Sequence, residues 1–194
     1  MGWDQSRQLL IKEHLGIFKA ANNYDVFDLA EGQLLMKCRE PDLKIITKIL
    51  RFTDFKRMTP FRVVITDELD RTLVEVRRGV ALFLSKVEVF DGDGRKLGSF
   101  QQKFFSLGGK FKVLDANEQE VCMLQGKWTG WNFRFMRGEE QLAHVTKKWA
   151  GIGKELFTSA DNYVLDIAPA VPGGSDTHRL LLAAVMCIDM VLKE

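Results

Sequence analysis

The sequence predicts a mainly β protein: a closed antiparallel barrel of roughly ten to twelve strands around a buried hydrophobic C-terminal helix. Three observations lead to this. Short apolar segments alternate with turn residues through the middle of the chain, in pairs that read as strand, turn, strand. The turns near Asp67, Asp91, Asp115 and Arg137 recur at a spacing of about 24 residues, two strands and two turns per unit. The last segment, Leu180 to Leu192, is apolar apart from Asp189. A meander of hairpins leaves two open edges unless the sheet closes on itself, and a barrel of that width needs a filler for its lumen. An apolar helix supplies one.

In chain order, Phe18 to Asp28, Glu31-Gly32 and Gln33 to Cys38 read as a first hairpin. The segment Leu43 to Phe55 fits either a strand or a short amphipathic helix. Phe61 to Thr66, Asp67 to Arg71 and Thr72 to Arg77 form the next hairpin by period-two patterning and β-branched content. The form recurs in Ser85 to Phe90 with Arg95 to Phe100, and in Lys110 to Leu114 with Gln119 to Leu124. A fourth copy pairs Trp131 to Met136 with Gln141 to Thr146. The glycines of Asp91-Gly92-Asp93-Gly94 are those of a tight turn. No carboxylate follows near Gln102, where a calcium loop would end. Tyr163, Leu165 and Ile167 alternate with Val164, Asp166 and Ala168, a strand leading towards the last helix.

That helix is expected over about 178–192, with Ser175, Asp176 and Thr177 as capping candidates and Pro172-Gly173-Gly174 isolating it from the strand. Its apolar run of about 13 residues would measure roughly 20 Å, short of the roughly 30 Å hydrocarbon core of a bilayer. A protein interior is its better home. Asp189 then requires a hydrogen-bonding or cationic partner, or an exit to solvent near the helix end.

With 194 residues, 46% hydrophobic and 28% charged, the chain is expected to form one domain, 1–194, with no low-complexity linker. A formal net charge of +2 gives no reason to expect a nucleic-acid partner. Cys38, Cys122 and Cys187 lie far apart, outside any metal-binding spacing, and read as buried reduced thiols. No apolar run follows basic residues at the N-terminus, so the expected location is the cytoplasm or the cytoplasmic face of a membrane. Gly2 and Ser6 loosely fit an N-myristoylation pattern, which an ordinary start followed by a small residue also explains.

Catalytic signatures are missing: no Gly-x-Ser-x-Gly elbow, Walker loop, His-Glu-x-x-His or dinucleotide fingerprint occurs. His14, His144 and His178 stand singly. The chain is therefore not expected to be an enzyme. Basic residues gather in two places: Lys44, Lys48, Arg51, Lys56, Arg57 and Arg62 against Asp54, and Lys147, Lys148 and Lys154 around Trp149. Cations beside an interfacial Trp suit anionic phospholipid headgroups, whereas solvated strand faces also account for such clusters.

His144-Val-Thr-Lys-Lys-Trp149-Ala-Gly, Glu155 to Tyr163 and the closing Ala184 to Glu194 resemble the phospholipid scramblase family and its LURP-one-related relatives. Gly32-Gln33, Arg77-Arg78 and the Asp91-Gly-Asp-Gly hairpin extend the likeness. The resemblance implies the tubby C-terminal-like fold, twelve strands around a hydrophobic helix. It also implies a membrane-associated, lipid-interacting role, with phospholipid scrambling as the activity credited to relatives. Lys147, Lys148, Trp149 and Lys154, with Lys44, Lys48 and Arg51, are the lipid-binding candidates. In scramblases the segment matching Ser159 to Ala170 is described as an EF-hand-like calcium loop, which would make Ser159 and Asp161 metal ligands. With Val164 at the sixth position and Ala170 at the twelfth, calcium is at most weakly held; no other cofactor is expected. The other reading is a soluble scaffold that holds a protein partner on its exterior.

Overall fold

Period-two segments become strands wherever one side chain in two can be buried, and twelve form among the described residues. They are β1 (Gln8–Glu13), β2 (Tyr24–Asp28), β3 (Leu34–Arg39), β4 (Phe61–Asp67), β5 (Thr72–Arg78) and β6 (Lys86–Asp91). They continue with β7 (Lys96–Gln102), β8 (Phe111–Asp115), β9 (Glu120–Lys127), β10 (Asn132–Arg137), β11 (Glu140–Thr146) and β12 (Asn162–Ile167). One helix follows, α1 (Asp176–Leu192). The computed structural model describes residues 2–13, 23–41, 60–79, 86–102, 110–127, 131–147 and 162–192, with side chains throughout except at Gln102, Lys127 and 189–192.

Each strand pairs antiparallel with its neighbour in sequence, and β1 pairs with β12 from Gln8↔Asp166 to Lys12↔Asn162, so the sheet closes as a barrel. The expected hairpins are present over their described residues; Phe18 to Asn22 of the first and Ser85 of another lie outside them. The segment Leu43 to Phe55 lies outside the described residues. The pattern reading did not include β1, whose three consecutive apolar residues Leu9, Leu10 and Ile11 are all buried, with no alternation to mark it as a strand.

The 24-residue spacing has a physical basis in the turns. Asp67, Asp91 and Asp115 each accept, on Oδ1, the backbone N–H groups two and four residues on: Leu69 and Arg71, Asp93 and Arg95, Asn117 and Gln119, at 2.8–3.1 Å. The residue three on is left-handed in each, Asp70, Gly94 and Glu118 at φ 60°, 81° and 61°. Burial raises the pKa of Asp67 and Asp91, but the turn N–H groups and the guanidinium four residues on outweigh it and hold both carboxyls below the usual range.

Helix α1 fills the lumen, nearest β5, β7 and β8, and Leu180 to Ile188 are buried on every side. Gly98 gives the helix room, since a Cβ there would stand 2.0 Å from the Leu114 carbonyl oxygen and 3.1 Å from Leu180 Cδ2. The helix begins two residues before the expected start. Ser175 is the cap: its Oγ accepts the His178 N–H at 3.2 Å, and Asp176 in the first turn suits the helix dipole. The three cysteines are free and buried, as expected.

The hairpin turns, residues 2–7 and the link 168–175 share one end of the barrel, the turn end. The odd-numbered strands finish, and the even-numbered ones begin, at the opposite rim. At the turn end His178 is fully buried against Trp3, with ring centroids 5.3 Å apart, and its Nδ1 accepts the Gly174 N–H at 3.0 Å. Burial, then the charge of Arg7, lowers its pKa to about 4.

Candidate lipid-facing rim

Of the lipid-binding candidates only Lys147 falls among the described residues. It follows β11 directly, and its backbone N–H donates to the Trp131 carbonyl at 3.3 Å, extending the ladder past the last strand residue. Its ammonium stands 4.1 Å from the centroid of the Trp131 ring and 5.2 Å from that of Tyr163. The two rings pack at 5.0 Å, and Phe133 meets Trp131 edge-on at 6.1 Å. Ends of β10, β11 and β12 thus build an aromatic platform that seats a cation at the rim, an attraction on the order of 1 kcal/mol.

Sequence reading missed Trp131 and Tyr163, because the register of three strands, not proximity in the chain, brings them to Lys147. Lys148, Trp149 and Lys154, and likewise Lys44, Lys48 and Arg51, lie outside the described residues. Their sequence positions are in the β11–β12 and β3–β4 connections, which leave from and return to this same rim. The metal candidates Ser159 and Asp161 also lie outside the described residues. The part of that segment that is described, Asn162–Ile167, is β12, the strand expected from its alternation. Among the described residues no group of three or more His, Cys, Asp or Glu could hold a metal ion.

Arg77 and Arg78 diverge. Arg77 points outward, donating from Nε to Glu75 Oε1 at 2.6 Å with its guanidinium over Phe90, while Arg78 lies 5% exposed with its guanidinium over Phe61. Arg62 closes on Glu75 from β4, again through Nε to Oε1. Hydrogen bonds from Arg77, then from Arg62, lower the Glu75 carboxyl to about 2. Further along the outer wall Lys96 and Lys86 meet Glu118, and Lys112 meets Glu120. A barrel that spans a membrane turns apolar residues to lipid and keeps a polar lumen; this one has an ion-paired exterior and an apolar interior. Its strands are built to stand in water. Among the described residues no helix is long and apolar enough to cross a membrane.

A twelve-stranded barrel closed around its C-terminal helix defines the class, and a solved structure resembles it in fold. A crystal structure of an Arabidopsis thaliana protein superposes with a TM-score of 0.59 at 16% identity, covering 96% of this chain and 93% of that one. At that identity the likeness speaks for the fold. The chain belongs to the Scramblase family, whose model matches residues 6–194, in agreement with the resemblance seen near the C-terminus. It is 23% identical over 172 residues to human phospholipid scramblase 2, an alignment covering 81% of this chain and 56% of that protein's length.

Proposed function

We propose that this protein is a scramblase-related lipid-binding protein that recognises anionic phospholipid headgroups with the basic residues of the rim. The observation that carries the reading is Lys147, seated over Trp131 and Tyr163 at the rim of a Scramblase-family barrel. A rigid aromatic seat limits the freedom of the lysine stem, so less entropy is lost when its ammonium meets a phosphate. Each Lys or Arg brought to an anionic surface contributes about 1 kcal/mol, and an adjacent Trp suits the interface. Lys148, Trp149 and Lys154 would extend this seat, with Lys44, Lys48 and Arg51 as further contacts. Binding of this kind is peripheral and belongs at the cytoplasmic leaflet, where anionic lipids concentrate. It needs no covalent chemistry. Calcium through Ser159 and Asp161 would be an accessory at most, since Asp161 is the one carboxylate of the matched ligand positions.

Co-sedimentation with phosphatidylcholine vesicles, and with the same vesicles carrying phosphatidylserine, tests this at low and high salt with and without calcium. The expected result is binding to the anionic vesicles alone, weakened by salt. Lys147→Glu with Lys148→Glu should reduce affinity by about thirtyfold or more, at about 1 kcal/mol per cation removed. Calcium-dependent binding that Asp161→Asn abolishes would make the 159–170 segment a metal site. No binding in any condition would sink the lipid reading and leave the protein scaffold.

A further inference from the structure

The formal charge of +2 conceals an uneven distribution between the ends of the barrel. At the turn end the exposed Glu31, Glu68, Asp93 and Glu139 form no ion pair among the described residues, while Arg71, Arg95 and Arg137 are engaged by other carboxylates and Arg7 by the Val171 carbonyl. Arg71 holds Asp67, Arg137 holds Glu140, and Arg95 bridges Asp91 to Asp176 at the helix start. This end therefore carries an excess of negative charge. Because the whole chain is slightly positive, the excess of cations must lie elsewhere. Towards the rim, Asp25 holds Arg39 and Glu75 holds both Arg62 and Arg77 on the outer wall, and with Lys12, Arg78, Lys110 and Lys147 the cations there outnumber these two carboxylates together with Glu13 and Glu40. The helix runs with its amino end among the carboxylates and its carboxyl end towards those cations, so its dipole opposes neither charge.

We infer that the barrel docks end-on: the rim meets the anionic bilayer and the acidic hairpin turns point away into solution. The inference rests on the headgroup reading above and adds the direction. A molecule with one acidic and one basic end is oriented by the negative surface potential before it touches lipid, the acidic end being repelled and the rim drawn in within a Debye length. Docking on the side wall would instead strip water from the ion pairs of Arg62, Arg77 and Glu75, at a cost that their mutual attraction does not recover. End-on contact leaves that wall hydrated.

The orientation is read with one added cysteine at a time. Cys38, Cys122 and Cys187 are buried, and burial pushes the Cys122 thiol up to about 12 and raises the other two further, so an exposed thiol is labelled selectively. Gly79→Cys places a label at the rim, where a Cβ meets nothing within 4 Å, and Leu69→Cys places one at the turn end, where Leu69 is 69% exposed. With vesicles of phosphatidylcholine and phosphatidylserine carrying a nitroxide on the lipid, the Gly79→Cys label should be quenched several-fold more than the Leu69→Cys label. High salt should remove the difference. Lys110→Glu should weaken binding about fivefold or more, whereas Glu139→Lys should not weaken it. Sedimentation of both labelled proteins with quenching equal at the two ends, or greater at Leu69, would overturn end-on docking while leaving headgroup binding intact. Absence of sedimentation would overturn both.

Discussion

Along β5, Val74 and Val76 lie in the core with Arg78 in the same phase, while Glu75 and Arg77 turn to the outer wall, and different forces hold the two sets. The inner residues pack against a helix that has no polar face in its described part, so burial and close contact hold them. The outer ones are tied by ion pairs whose arginines are 44–50% exposed and whose attraction water screens. The strand wall thus divides its work: the inside specifies the fold, and the outside can change sequence without dissolving it. Leu181→Ala, at a position with no exposure, should cost about 2–5 kcal/mol of unfolding free energy, seen as a lower urea midpoint. A loss under 1 kcal/mol would mean the lumen is loosely filled.

The pH dependence of stability should separate the same two regions. His178 is buried neutral, its pKa lowered to about 4 from 6.5, so between those values the unfolded chain binds the extra proton. Stability should fall as the pH drops from 6.5 towards 4 and lose nothing further from this group below that. His178→Gln, whose amide oxygen can still accept the Gly174 N–H, should flatten that interval in denaturation midpoints measured across pH. Glu75 behaves as an anion held by its arginines: its folded pKa of about 2 lies below the ordinary 4.5, so its contribution is complete above pH 4.5 and is lost as the pH falls towards 2. Glu75→Gln should cost about 1 kcal/mol or less near neutral pH, the smallest effect of the three, and should make the acid slope shallower, with Asp67 and Asp91 carrying part of what remains.

Much of the wall was legible because hairpins are local. Asp67, Asp91 and Asp115 announce their turns in the sequence, and the cap at Ser175 stands where Pro172-Gly173-Gly174 ends the strand. β1 was not legible, since both of its faces are covered and a run of Leu9, Leu10 and Ile11 carries no period of two. The inward phase of Arg78 was available in its spacing from Val74 and Val76, but a charge among aliphatics is not ordinarily read as core. The platform under Lys147 needed three strands in register, which one-dimensional pattern does not give. What pattern could show of the rim was its composition, basic residues beside Trp149, and not which of them share a seat.

The seam between β1 and β12 joins residues as far apart as Gln8 and Asp166. Each hairpin can form as soon as its own residues leave the ribosome, yet the ring stays open until β12 emerges, and the helix that fills it comes later still. Until then a nascent sheet exposes an apolar face and two unpaired edges, the conditions under which chains associate wrongly. Closing a loop that long makes the final step slow. The chain should therefore depend on chaperones late in synthesis, and an interruption shortly before the helix should be more harmful than the small number of missing residues suggests.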